Sequence, residues 1–356
     1  MFRMQSNHLA STRSSTQSVA VAIAFMFFLA TSACAPAPST VATPIPRPLI
    51  TVRTGYVPAL PWAPLFLAVE KGYFREAGLD VRLEPIQSTN DAVIQLAVGN
   101  YEVAAGGANA GFWNALERGI RVRIVAPLHY ETRPHATPLL ISKNSHEIGK
   151  IRSVADLKGK KVAVNGRGAA IEYWLEKALA TGGLTTKDVD VQVVAFADLA
   201  AALNNGAVDA GMATEPFPTL GEDRGLVYRL ADNFVPDVQV TLLYYNEDFA
   251  VRQPDGAQAV LLGFLRGCRD LQGNGWKSEA NSLIIEKYTK VPADVIRRSA
   301  APACEPNGRL DLSDYALLQD FFLRRGDLTY SRPIDLKPLV DESYVQHALK
   351  ALGEYK

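Results

Sequence analysis

The chain has 356 residues, with 37 basic and 37 acidic side chains and a formal net charge of zero. That balance favours neither nucleic acid nor an acidic surface as a partner. The length, once an N-terminal leader and spacer are set aside, is long for one core and natural for two lobes.

Residues 1–18 are polar and carry Arg3 and Arg13; residues 19–30, VAVAIAFMFFLA, are almost purely apolar; TSAC follows, ending in Cys34. A basic region, a short hydrophobic run and small residues before a cut make an export signal. About 12 apolar residues are too few for a membrane span, which needs roughly 20. The pattern resembles the bacterial lipoprotein signal, with 1–33 removed and Cys34 carrying the lipid. Thr31 stands where that signal usually has Leu, so an ordinary secretory cut near Ala33 is the alternative. Residues 35–48, APAPSTVATPIPRP, hold five prolines and read as an extended tether. After Cys34 only Cys268 and Cys304 remain; an oxidising compartment permits them to pair, and two separate buried thiols are the other reading.

From Leu49 the chain alternates strands and helices. Leu49–Gly55 reads as a strand, Pro64–Tyr73 as a helix, Val81–Ile86 as a strand, Asn90–Val98 as a helix, Val103–Ala105 as a strand, Gly111–Arg118 as a helix and Val122–Ala126 as a strand. This βαβαβ order implies a mostly parallel sheet with helices on its faces. A second series begins near Pro138, with strands at Leu139–Ser142, Lys161–Val164, Val191–Val194, Ala210–Ala213 and Val227–Leu230. Its helices are Ala169–Ala180 and Asp198–Asn205. Leu242–Tyr245 looks like a strand returning to the first lobe, followed by a helical tail. The expected lobes are 49–135 plus 240–356, and 136–239. AVIQLAVGNYEVAAGGANA and LAAALNNGAVDAGMATEP share a rhythm of helix, strand and small-residue loop, each able to deliver a loop to a cleft. Generic αβ punctuation would look the same.

At PLFLAVEKGYFREAGLDV (Pro64–Val81) the chain resembles the solute-binding proteins of ABC importers. The subgroup is the one serving nitrate, sulfonates, taurine and thiamine-pyrimidine or riboflavin ligands. AVIQLAVGNYEVAAGG, SVADLKGKKVAV and ALNNGAVDAGMATEPF continue the resemblance in order. It implies a type II periplasmic-binding-protein-like fold, two α/β lobes with a ligand cleft, working as a monomer. The implied partners are a small-molecule ligand and an ABC permease with a cytoplasmic ATPase. No cofactor is implied.

Ligand contacts are expected on strand-end loops. Tyr56 and Trp62 lie on a proline-stiffened loop, with Trp62 offering a stacking face unless it merely plugs the lobe. GGANAGFW supplies Asn109, which both donates and accepts, and Phe112. NGRGAAIEYW supplies Arg167 as a counterion, backbone donors at Gly168, Ala169 and Ala170, and Tyr173. It is not a phosphate loop, for it lacks Gly-Lys-Ser/Thr. ATEPF places Glu215 as an acceptor for ligand N–H or O–H groups; a pairing of Glu215 with a local lysine or arginine is the alternative. Strand alternation sends one of Tyr244 and Tyr245 towards the cleft, and Tyr244 is the chosen candidate. His129 and Tyr130 are secondary candidates.

Many rings and few fixed charges suggest a planar heteroaromatic ligand, riboflavin or a thiamine pyrimidine precursor. An unpaired Glu215 would repel sulfonate, taurine or nitrate, which form the alternative. An enzyme is the other rival, because the fold resembles fungal proteins that make the thiamine pyrimidine with pyridoxal phosphate and a cysteine-rich iron motif. This chain has no cysteine cluster, and its five histidines form no metal spacing. The chain is therefore expected not to be an enzyme.

Overall fold

The computed structural model describes residues 48–235 and 238–356. The expected leader, the expected lipid site at Cys34 and most of the expected tether lie outside them. Residues 47–356 form one compact unit. Among the described residues ten strands fall into three sheets. β1 (Ile50–Tyr56) and β2 (Leu79–Pro85) pair in parallel. β3 (Val103–Gly107) and β4 (Val122–Pro127) flank β10 (Thr241–Asn246), which runs antiparallel to both. The third sheet holds β5 (Leu139–Ser142), β6 (Lys161–Val164), β7 (Asp190–Val193), β8 (Ala210–Met212) and β9 (Val227–Ala231) in the order β7-β6-β8-β5-β9.

The returning strand expected at Leu242–Tyr245 is therefore present, wedged between β3 and β4. The expectation of mostly parallel sheets needs correction. β10 enters from the second lobe, and β5 pairs antiparallel with both β8 and β9. Crossovers that change lobes reverse the chain's direction, and local periodicity carries no record of that. The helix expected at Pro64–Tyr73 is two helices, Ala63–Glu70 and Tyr73–Glu76, because Gly72 sits between them at φ +78°.

Helix starts are fixed by local side chains. Ser88 caps Thr89–Ala97 in a capping box with Asp91, and Asn109 caps Ala110–Glu117 through the N–H of Phe112 at 2.7 Å. Both caps put a helix N-terminus at the interlobe face. The tail helices Pro254–Arg269, Glu279–Thr289 and Leu312–Arg325 pack large side chains such as Phe264, Phe322 and Tyr315 into the core. Cys268 and Cys304 form a disulfide with Cα atoms 5.7 Å apart, tying the first of these helices to the loop beyond it. Among the described residues no helix is long and apolar enough to cross a membrane.

Candidate functional site

Two β-sheet systems meet at their loops, and several polar contacts cross between them. Leu60 N–H donates to Glu215 O at 2.9 Å, Ala110 N–H to Gly168 O at 2.9 Å, and Asn165 Nδ2 to Gln87 O at 3.1 Å. A Cβ at Gly107 would come within 2.7 Å of Ala170 Cβ, so this approach requires glycine. Gly168, at φ +66°, turns the chain into the helix Ile171–Ala180.

Between these contacts lies an inner chamber of about 50 Å³. Trp62, Thr89, Gly107, His129 and Thr241 line it from one side; Thr137, Asn165, Ala169, Trp174 and Thr214 line it from the other. At roughly 10–15 Å³ per enclosed water, it has room for about three to five water-sized atoms. Its polar surface is hydroxyl, amide and imidazole. No lysine, arginine, aspartate or glutamate lines it.

Each polar group is held from behind. Asn109 Nδ2 donates to Thr89 Oγ1 at 3.3 Å. The backbone N–H of His129 donates to Thr241 Oγ1 at 3.0 Å, and the same hydroxyl lies 2.8 Å from His129 Nδ1. Burial lowers the His129 pKa to about 3, so the ring is neutral across the physiological range. Thr137 Oγ1 lies 3.0 Å from Thr214 Oγ1 and donates to Glu131 Oε1 at 2.5 Å. Glu131 Oε2 accepts the Ala136 N–H at 2.7 Å. Burial raises the Glu131 carboxyl to about 7; hydrogen bonds from Thr137 and Ala136 oppose the rise, and the Glu215 charge adds to it. At the helix start, Glu172 Oε2 accepts the Gly168 N–H at 2.7 Å and pins the turn that presents the backbone of Ala169 and Ala170.

An outer chamber of about 470 Å³ adjoins the first, with Phe196 lining both. Its walls include Tyr56, Ile86, Phe217 and Tyr288 and are mainly apolar. Tyr56 packs edge-on against both Phe66 and Tyr288, which stack on each other at 4.3 Å.

Of the residues picked from the sequence, Trp62, Ala169, Ala170 and the secondary candidate His129 line the inner chamber, and Tyr56 lines the outer one. Trp62 spends its indole N–H on Ala105 O at 3.1 Å, leaving only its ring for a ligand. Asn109 stands one layer back, behind Thr89. Phe112 and Tyr244 are core, packed on each other at 4.9 Å, and Tyr245 is core as well. Both side-chain faces of β10 are covered by helices, Tyr244 by Phe112 and Tyr245 by Phe249 and Tyr344. Tyr173 packs edge-on against Phe321 at 5.6 Å. Gly168 lies beside the chamber and shapes the turn. Arg167 is more than half exposed, donates to Val191 O and faces a different surface hollow, 3.8 Å from Glu172. Glu215 is fully buried and saturated by Arg229 at 2.5 Å and by Thr219, through its backbone N–H and hydroxyl at 3.1 and 2.8 Å. The alternative weighed for it, pairing with a local cation, is the arrangement present. The unpaired carboxylate invoked against oxyanions does not occur.

Sequence reading passed over Thr89, Thr137, Thr214 and Thr241. Thr214 and Asn165 sit inside segments that were selected, one or two positions from the residue chosen. The usable signal was a threonine at a strand end or within two residues of one, at Thr137, Thr214 and Thr241. The two rhythmic segments do each bring a lining residue, Gly107 from one and Thr214 from the other.

A family profile described as NMT1/THI5 like matches residues 61–274. The bicarbonate-binding protein CmpA of Synechococcus elongatus is 22% identical over 271 residues, 69% of this chain and 60% of that protein. The riboflavin-binding protein RibY of Chloroflexus aurantiacus is 27% identical over 229 residues, 63% of each. The matches thus span under two thirds of the length of these two relatives. Among solved structures, the alkanesulfonate-binding protein SsuA of Xanthomonas axonopodis pv. citri, bound to MOPS, superposes with a TM-score of 0.69 at 20% identity, covering 83% of this chain and 99% of that one.

Proposed function

The chain belongs to the NMT1/THI5-like family and has a two-lobed α/β binding fold, and from that premise we propose that it is the extracytoplasmic solute-binding component of an ABC importer. It captures a small oxyanion, or the oxyanion head of a small organic molecule, and hands it to a membrane permease driven by a cytoplasmic ATPase. The protein binds and does not transform its ligand. The halves that close are 49–135 plus 240–356 and 136–239, and a lipid on Cys34 with the proline-rich tether keeps a monomer at the membrane.

One observation carries the ligand class. The inner chamber has the volume of a three- or four-atom group, and its mainly apolar lining includes four threonines, one asparagine, one neutral histidine and the start of a helix, with no charged side chain. Fixed hydroxyl and backbone dipoles stabilise an anion without a counterion, and the positive end of the helix adds to them. Contact with both lobes lets the ligand favour the closed form. The names of CmpA and of the SsuA structure point to the same chemistry, bicarbonate and alkanesulfonate.

The vitamin reading has one relative behind it, RibY, and one feature, the ring-lined outer chamber. A flavin body does not fit in about 50 Å³. The oxyanion alternative is therefore the better supported of the two. Calorimetric titration with bicarbonate, nitrate, methanesulfonate, taurine and riboflavin separates them. Saturable binding of at least one oxyanion, with no riboflavin heat, is expected. Tight riboflavin binding with no oxyanion binding overturns the proposal.

A further inference from the structure

The inner chamber offers an anion no cation, yet a buried carboxyl lies directly behind two of its hydroxyls. Glu131 is 1% exposed. Its Oε1 is 2.5 Å from Thr137 Oγ1, which is 3.0 Å from Thr214 Oγ1, and both threonines line the chamber. Carboxyl, hydroxyl, hydroxyl and solute thus stand in a row.

The direction of such a row is set at its inner end. An ionised carboxylate only accepts hydrogen bonds. Thr137 then donates inward to Glu131, Thr214 donates to Thr137, and the solute meets the lone pairs of the Thr214 oxygen. A protonated carboxyl reverses the row. Glu131 donates to Thr137, Thr137 donates to Thr214, and Thr214 turns its own proton to the solute. The first arrangement opposes an oxyanion, whereas the second gives it a charge-assisted hydrogen bond in a low-dielectric site.

We infer that Glu131 takes up one proton as the anion enters, so that the protein captures oxyanion and proton together. The proton comes from solvent and ends on Glu131 Oε1; the anion's charge replaces the carboxylate's, and the net charge of the buried unit is unchanged. This rests on the oxyanion reading of the site. The groups around Glu131 are consistent with it. Glu215 carries the same charge as ionised Glu131 and is held by Arg229. His129, two residues away, is neutral and bound to Thr241. Arg133 and His135 both bond the carbonyl of Val235, at 3.5 and 3.1 Å. The segment 301–303, whose Ala303 pairs with Tyr130, carries no charge. Among the described residues the Glu131 carboxyl is bonded by the backbone N–H groups of Ala136 and Thr137 and by the Thr137 hydroxyl, with no cation among them.

The test is calorimetry with methanesulfonate and nitrate from pH 6 to 9, in amine buffers of different ionisation enthalpy such as Tris and triethanolamine. Sulfonate and phosphate buffers would compete. Wild type is expected to take up close to one proton per anion above pH 7, with affinity falling about tenfold per pH unit there. Glu131→Gln, whose amide donates to Thr137 at every pH, is expected to lose both the proton uptake and the pH slope. Oxyanion binding by wild type with no proton uptake and a flat profile overturns this inference and leaves the oxyanion reading standing. A slope that survives in Glu131→Gln overturns it too, because the proton then sits on another group. Absence of oxyanion binding at any pH removes the reading and the inference together. The buffer comparison uses wild type alone and decides the matter even where the variant does not fold.

Discussion

Glu215 and Glu172 are both fully closed off from solvent and both face an arginine, yet they are built to opposite purposes. Glu215 is sealed inside one lobe: Arg229 and both donors of Thr219 occupy its oxygens, the arginine on β9 and the threonine on the helix Phe217–Asp223 that precedes it. Glu172 is shared. One oxygen takes the Gly168 N–H from its own lobe and Arg325 from the other, at 2.7 and 3.2 Å; the other oxygen has only Arg167 at 3.8 Å. Arg325 is itself held by Asp327 at 3.0 Å. A saturated buried pair fixes a fold, whereas a pair divided between lobes can exist only while the lobes meet. The same residue types thus stand wholly within one lobe in one place and reach across to the other lobe in the other.

Removing the partner of the sealed glutamate has the largest expected effect. Arg229→Met strands a buried carboxylate and should cost about 3–5 kcal/mol in urea unfolding, with ligand affinity of the remaining folded protein unchanged. A loss of affinity without loss of stability would erase the contrast. Arg325→Met should cost less, about 1–3 kcal/mol, because the lobes can part and wet the carboxylate. Its signature should instead be faster ligand dissociation and a more open envelope in small-angle scattering. Equal ligand off-rates in Arg325→Met and wild type would count against a closure role.

The third buried glutamate gives a smaller, pH-dependent effect. The Glu131 pKa is raised from 4.5 to about 7, so between those values the folded state holds a proton that the unfolded chain has released. Its contribution to stability is complete below about pH 4.5 and is lost as pH rises through about 7. The melting-temperature gap between Glu131→Gln and wild type should therefore widen in favour of the variant from pH 4.5 to 7 and level off above. His129, shifted down to about 3, acts in the opposite direction over part of that window, but equally in both proteins. A constant gap would place the Glu131 pKa near its ordinary value. Smallest of all is Arg167→Ala. This exposed arginine touches no chamber, and its loss should change stability by no more than about 0.5 kcal/mol and leave affinity unaltered. A large drop in affinity would restore it as the ligand's counterion.

The elements themselves were legible in the sequence, because periodicity and glycine or proline punctuation are local. So was the crossing back at Leu242–Tyr245. Strand direction was not, since β5 and β10 reverse through lobe crossovers. Within the site, segments were easier to find than residues. ATEPF was selected for Glu215, yet Thr214 faces the chamber while the glutamate turns inward to Arg229. NGRGAAIEYW was selected for Arg167 and Tyr173, yet Asn165, Ala169 and Trp174 line the chamber. A charged or aromatic residue stands out in a string, but which way it points depends on partners as distant as Phe321 is from Tyr173. Small hydroxyl residues beside strand ends stand out less and do more of the lining.

The most direct test is calorimetric titration of methanesulfonate, nitrate and bicarbonate into wild type and Thr214→Val. One oxyanion should bind wild type at one per chain, and the valine should weaken it about tenfold or more, the worth of one lost hydrogen bond to a charged group. Oxyanion binding indifferent to Thr214→Val, or riboflavin binding where no oxyanion binds, would contradict the account.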